Sequence, residues 1–202
     1  MTTYYKATRL DGTDFATGTT YPVVGEWMPR IDGTLRLCER GYHVSAAPAE
    51  TLIGGWWPCR LFEVEIDGDT PESHIDGHKR VVHTYQPIRE LPAWQALGPN
   101  GQDVAALIER VGQLTPADAE SLQAAWDVAG NAARYAARDV AGNAAWNAAW
   151  NAVWNTAWNT AGAAAGNAAR YAALGLVVRD LITPEQFAAL YGPWASVMEI
   201  TR

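Results

Sequence analysis

WDVA-GNAA-RYAA-RDVA-GNAA-WNAA-WNAV-WNTA-WNTA-GAAA-GNAA-RYAA-LGLV: residues Trp126 to Val177 divide into tetrads without one slip of frame. The first slot is Trp, Gly, Arg or, last, Leu; the second is mostly Asn or Asp; the remaining two are nearly always small. No charged side chain occurs from Val140 to Ala169. Ala is the strongest helix former, so the array reads as helix even with its Gly, Asn and Thr content. A period of four drifts on a helix of 3.6 residues per turn, by about 40° per tetrad. Trp146, Trp150, Trp154 and Trp158 therefore form a slanting ribbon about 120° wide, with Asn147, Asn151, Asn155 and Asn159 in a parallel ribbon roughly 100° away. Such a ribbon needs either a partner that wraps with it or a break in the helix. The array is expected to break near Gly130, Gly142, Gly162 and Gly166 into two or three packed helices, with small residues admitting close backbones and Trp filling the space between.

The Trp ribbon has two readings. The plainer one is core or oligomer packing, with Asn amides satisfying the indole N–H groups. The sharper one is an aromatic ladder that stacks rings of a ligand or partner, which makes Trp146, Trp150, Trp154, Trp158, Asn147, Asn151 and Asn155 candidate binding residues. No Lys or Arg lies among these tryptophans to neutralise phosphate, which argues against nucleic acid. An amide every fourth residue argues against a membrane span.

The whole chain has 202 residues and a formal charge of -7. The negative balance is spread over both halves and argues against a general binder of nucleic acid or anionic membrane. Cys38 and Cys59 make no disulfide framework, and the N-terminus reads directly as strand rather than as a signal peptide. A reducing cytoplasm is the expected location, with both thiols free.

Upstream of the tetrads the pattern changes to short β-rich runs punctuated by Gly, Pro and Asp. Tyr4–Leu10, Thr19–Val24, Thr34–Cys38, Arg60–Ile66 and Arg80–Tyr85 read as strands, and Pro48–Ile53 as a short helix with Pro at its start. Pro87–Pro92 is expected to leave the domain, followed by a linker or short helix at Ala93–Asn100 and an amphipathic helix at Gln102–Gly112. Thr115-Pro116 opens the next helix, and Thr183-Pro184-Glu185-Gln186 is a capping box for a helix ending at Gly192-Pro193. The fold expected is α+β: a small mixed domain over residues 1–92, a connecting segment over 93–115, and an Ala/Trp-rich helical domain over 116–202.

Tyr5-Lys6-Ala7, then Cys38-Glu39-Arg40-Gly41-Tyr42-His43-Val44-Ser45, then Arg60-Leu61-Phe62-Glu63-Val64 resemble the pattern of an uncharacterised domain family of bacteriophage and bacterial proteins. The Ala-rich tetrads, with Leu176–Gln186 and Leu190-Tyr191-Gly192-Pro193-Trp194, resemble a C-terminal region of proteins from phages that infect actinobacteria. These resemblances imply an accessory protein made inside an infected bacterium. Gly41-Tyr42-His43-Val44-Ser45-Ala46-Ala47 also resembles the second element of the ADP-ribosyltransferase fold, where an aromatic ring and a Ser hold nicotinamide. That likeness implies NAD as cofactor and His43, Ser45 and Glu63 as catalytic candidates. The chain departs from it in lacking a His-Gly-Thr or Arg element in the first strand.

Read as residues alone, His43 and Ser45 share a strand face without an orienting acid. Glu63 and Glu65 are most simply the wet face of their strand. Cys38, His43 and Cys59 with a further His match no compact zinc spacing, so no metal site is expected. Trp56 and Trp57 follow the Gly54-Gly55 turn as a ring pair that could line a pocket, and Tyr42 and His43 are further ligand-binding candidates. Three functions follow from these features. The first is a non-enzymatic, cofactor-free binding protein, homo-oligomeric through its uncharged Ala/Trp face, that engages a host protein or sequesters a nucleotide-like molecule. The second is an ADP-ribosyltransferase-like enzyme. The third is a virion component assembled through the tetrads.

Overall fold

The computed structural model describes residues 3–36, 39–68, 72–73, 79–140 and 166–198. The fold is α+β, in two compact units, Met1–Ala96 and Leu97–Arg202.

In the first unit, β1 (Tyr4–Thr8), β3 (Arg60–Ile66) and β6 (Tyr85–Leu91) make an antiparallel sheet with β3 at its centre. Strands β2 (Tyr42–Val44), β4 (Glu72–Ser73) and β5 (Arg80–Val82) make a second, ordered β2-β5-β4. The two sheets meet where Tyr5 and Ser45 exchange both backbone hydrogen bonds at 2.9 Å. Period-two alternation sets the faces. Tyr4 opposes Val64 and Lys6 opposes Phe62, so these four share one side of the sheet. Tyr4, Phe62 and Val64 join Met28, Val44, Val82 and Tyr85 in the core on that side.

Three strand expectations need correction. Thr19–Val24 is not a strand: Pro22 has no N–H to give, and Val23 and Val24 are 66% and 47% exposed, so the run has no apolar face to bury. Its neighbourhood is tied instead by Tyr21 N–H to the Gly12 carbonyl and Gly25 N–H to the Pro87 carbonyl. Of Thr34–Cys38, the described part forms only a tight loop in which Arg36 and Arg40 bond each other's backbones. Pro87–Pro92, expected to leave the domain, belongs to edge strand β6. Proline is tolerated there because one side of an edge strand has no ladder to feed, and the pairing shifts register where Glu63 faces Arg89 but Val64 faces Pro87.

The second unit contains α1 (Gly101–Val111), α2 (Pro116–Val140), α3 (166–178) and α4 (Pro184–Met198). Thr115 begins α2 with a reciprocal cap: its Oγ1 accepts from Asp118 N–H at 3.2 Å, and Asp118 Oδ2 accepts from Thr115 N–H at 2.9 Å. The Thr183 capping box forms as read, with Thr183 N–H donating to Gln186 Oε1 at 3.0 Å and Gln186 N–H to Thr183 Oγ1 at 3.3 Å. Its helix does not end at Gly192-Pro193, however. It continues to Met198 with Pro193 inside and buried, beside Trp194 and Leu190.

Gly130 does not break the array, and the reason is steric. Along α2 the Trp126 ring lies across the Gly130 backbone, where a Cβ would stand 2.7 Å from the indole. Arg134, one tetrad further on, places its guanidinium 5.3 Å from the same ring, and Tyr171 of α3 meets it at 4.8 Å between centroids. The frame of four thus sets Trp126, Gly130 and Arg134 in one row, with the glycine as the recess that receives the ring. Helix α3 buries Ala168, Ala169, Ala172, Ala173, Leu174, Leu176, Val177 and Val178 around its whole circumference, as an interior helix does. Trp146, Trp150, Trp154, Trp158, Asn147, Asn151 and Asn155 lie outside the described residues, as do Gly142 and Gly162.

Candidate functional site

The first unit carries a cleft of two connected lobes. The inner lobe, about 70 Å³, is lined by Tyr5, Lys6, Asp14, Phe15, His43, Ser45, Thr51, Gly54, Gly55 and Lys79 among others. The outer lobe, about 420 Å³, shares Lys6, Asp14, His43 and Lys79 and adds Tyr21, Arg40 and Tyr42.

Its floor is a polar network built by local sequence. Strand alternation turns Lys6 to the same side as Tyr4, which buries it to 9% exposure. The Asp11-Gly12 turn sends the chain back so that Asp14 reaches Lys6. Asp14 Oδ2 accepts from Lys6 Nζ at 3.4 Å and from the Tyr21 hydroxyl. Its Oδ1 accepts from Ala16 and Thr17 N–H at 2.9 Å and from Thr17 Oγ1 at 3.1 Å. Lys6 Nζ also stands 5.0 Å from the centre of the Tyr21 ring.

The protonation states follow from burial and partners. Burial pushes the Lys6 ammonium down to about 8, opposed by the charge and hydrogen bond of Asp14 and assisted by the charge of Lys79. Burial alone would raise Asp14, but the Tyr21 hydroxyl, the Thr17 and Ala16 amides and the Lys6 charge hold it well below the usual carboxylate range. Tyr21 is driven far above the ordinary phenol value, first by burial and then by Tyr85 and Asp14.

The wall facing this floor is the Gly54-Gly55 turn after the 3-10 helix Pro48–Leu52. Gly54 has φ +79, and a Cβ there would stand 2.8 Å from Lys79 Nζ; at Gly55 it would stand 2.7 Å from the Phe15 ring. The positive φ disfavours a side chain at Gly54, and the Phe15 ring leaves no room for one at Gly55. Trp56 lies behind Phe15, edge-on at 4.7 Å, with the Arg9 guanidinium 5.0 Å from the centre of the Trp56 ring.

Of the residues singled out from sequence, Tyr42, His43 and Ser45 line the cleft. Tyr42 donates its hydroxyl to the Pro29 carbonyl at 2.9 Å. Trp56 supports the wall at one remove, through Phe15, and Trp57 is not among the lining residues. Glu63 is not either: it accepts from Arg89 Nε at 2.6 Å on the sheet. Cys59 is buried, and burial pushes its thiol up to about 12. Among the described residues, no group of three or more His, Cys, Asp or Glu could hold a metal ion. Nor is any described helix long and apolar enough to cross a membrane.

No family model, curated protein or solved structure matches this chain.

Sequence reasoning missed Lys6, Asp14, Tyr21 and Lys79. One signal could have found the two amines. Of the 15 Lys and Arg residues only Lys6 and Lys79 are lysine, and they come from opposite ends of the first unit to the same cleft. The lining brings together three cations (Lys6, Arg40, Lys79) and two carboxylates (Asp14, Glu39) in a chain of net charge -7. Asp14 is already occupied by internal donors, and Glu39 lies 3.5 Å from Arg36. Beside the Lys6–Asp14 pair the lining carries Lys79, Arg40 and the Ser45 hydroxyl, with Phe15 next to them.

Proposed function

We propose that this protein is a non-enzymatic binding protein whose first unit sequesters a small, anionic, nucleotide-like molecule, in the accessory role that the phage resemblance implies. The observation that carries this reading is the convergence of Lys6, Lys79 and Arg40 with Ser45, Thr51 and His43 on one concave surface of an otherwise acidic chain. Cations and hydroxyls are the groups that pair with phosphate or carboxylate oxygens. The Phe15 ring and the bare Gly54-Gly55 backbone add an apolar surface and close approach for a flat ring.

Calorimetric titration with AMP, ADP and NAD tests it. Saturable binding that weakens with added salt is expected, with thermal stabilisation of about 2.7 kcal/mol at a ligand concentration 100 times Kd. Absence of binding by all three, in a protein that instead retains a host polypeptide, would move the function to the protein-engaging alternative.

The NAD-cleaving alternative has one observation in its favour, the presence of His43 and Ser45 in the same lobe. Against it, Asp14 is the carboxylate of that lobe among the described residues, and its oxygens are engaged by Lys6, Tyr21 and Thr17. NAD is therefore expected to bind without release of nicotinamide, in the wild type and in His43→Ala alike.

A further inference from the structure

Two lysines in a chain that is otherwise cationic through Arg raise a chemical question: what does an amine do in this cleft that a guanidinium could not? Both carry positive charge and both bind anions. Only the amine gives up its proton near neutral pH and becomes a nucleophile. Lys6 is the one placed for this. It lines both lobes, sits on the strand β1 beneath the Gly54-Gly55 wall, and is fixed by Asp14 at 3.4 Å and by the face of Tyr21 at 5.0 Å. Lys79, on the opposite wall with its Nζ against the Gly54 backbone, places a second positive charge close enough to disfavour the protonated form of Lys6.

We propose that Lys6 captures its ligand covalently, as an imine with an aldehyde or ketone carried by a small phosphorylated molecule. The inference rests on the anion-binding reading above and narrows its ligand to a carbonyl-bearing phosphate. The neutral Nζ attacks the carbonyl carbon, a C–N bond forms, and the carbonyl π pair moves to oxygen. A proton passes from nitrogen to that oxygen through solvent. A second proton then reaches the oxygen from solvent, the C–O bond breaks and the oxygen departs as water. The nitrogen lone pair closes the C=N bond and the nitrogen's remaining proton returns to solvent, so no oxidant or reductant is consumed. Lys79 and the Ser45 hydroxyl receive the phosphate. With its ammonium lowered to about 8, Lys6 presents roughly half its amine neutral at pH 8, against well under 1% for an ordinary lysine.

Two probes separate covalent capture from simple anion binding. Pyridoxal 5′-phosphate has the anion, the ring and the aldehyde; pyridoxine 5′-phosphate has the first two and an alcohol in place of the aldehyde. The full chain is mixed with pyridoxal 5′-phosphate at pH 8, reduced with cyanoborohydride, digested and mapped by mass spectrometry. The reduced adduct is expected on Lys6 in about ten-fold excess over Lys79, and excess pyridoxine 5′-phosphate should suppress it. Lys6→Arg should abolish the adduct, because a guanidinium keeps its proton and does not attack a carbonyl. If pyridoxine 5′-phosphate binds but Lys6 and Lys79 are labelled equally, or neither is, the imine proposal fails and the anion site stands. If neither probe binds, the anion site fails and takes the imine with it. Should Lys6→Arg not fold, the ratio of labels in the wild-type chain decides the matter unaided.

Discussion

Asp14 in the first unit and Trp126 in the second each organise their surroundings, by opposite means. The carboxylate collects directional bonds from residues 6, 16, 17 and 21, each of which has to arrive at its own lone pair. The indole collects volume: a recess left by Gly130, a ring from Tyr171 and a guanidinium from Arg134. A polar network in a low-dielectric setting fails sharply when one member is lost, because the others are left buried and unpaired. A volume fit degrades by degrees, since neighbours can shift by tenths of an ångström. The cleft is therefore expected to be brittle where the helices are forgiving.

The largest effect should come from Asp14→Ala. It strands the buried Lys6 ammonium and the Tyr21 hydroxyl together, and removing one partner of a buried pair costs about 3–5 kcal/mol. Peptide-resolved hydrogen exchange should show the loss confined to the first unit. Protection lost equally in α2 and α4 would erase the contrast between the units.

Titration sharpens the same contrast. The native Lys6 value is lowered, to about 8 from the ordinary 10.5. Between those two values the unfolded chain binds more protons than the folded one, so stability rises with pH across that window, by about 3 kcal/mol at most. Asp14 has the same sign, in an acid window of its own. Its native value is depressed, so its contribution is complete above the unfolded value of about 3.9 and disappears as pH falls toward the native one. Chemical denaturation from pH 7 to 10.5 should show the rise in the wild type and none in Lys6→Met. A fall over that range in both proteins would mean that burial does not govern Lys6.

The two units also differ in how openly the sequence declares them. The helical unit discloses helix, the Thr115 N-cap and the Thr183 capping box, because period, small residues, Thr-Pro and Thr-x-x-Gln are local signals. Arg60–Ile66 is equally plain, since Phe62, Val64 and Ile66 alternate with Glu63 and Glu65. Tyr42, His43 and Ser45 could be marked from sequence because they stand together. The cleft floor could not, because Lys6, Asp14, Tyr21 and Lys79 are joined by loops whose course depends on Pro22, on the Gly12 carbonyl and on edge strand β6. The same non-local ties turned Thr19–Val24 from an expected strand into an irregular segment. Pro193 misled in the other direction: a helix-breaking residue is tolerated where Leu190, Trp194 and Met198 are buried around it.

A smaller effect is expected from Gly130→Val, which presses branched carbon into the Trp126 ring. Overpacking of this kind costs about 1–3 kcal/mol. Adding Trp126→Leu should return part of the loss by vacating the recess, and thermal unfolding of the two variants and their combination measures the coupling. Strict additivity would show that the ring and the glycine do not share one space.

The smallest effect tests whether the helical unit has any directional element of its own. Thr183 and Gln186 exchange two bonds at the start of α4, where the first N–H groups have no partners within the helix. Thr183→Ala removes the hydroxyl that accepts from Gln186 N–H and should cost about 1 kcal/mol, while Thr183→Ser, which keeps the oxygen, should cost only a few tenths. The loss should appear as faster amide exchange in the first turn of α4 and leave α2 unchanged. If Thr183→Ala proves as damaging as Asp14→Ala, the helical unit too hangs on a single polar pair, and the division between a brittle cleft and a forgiving bundle is gone.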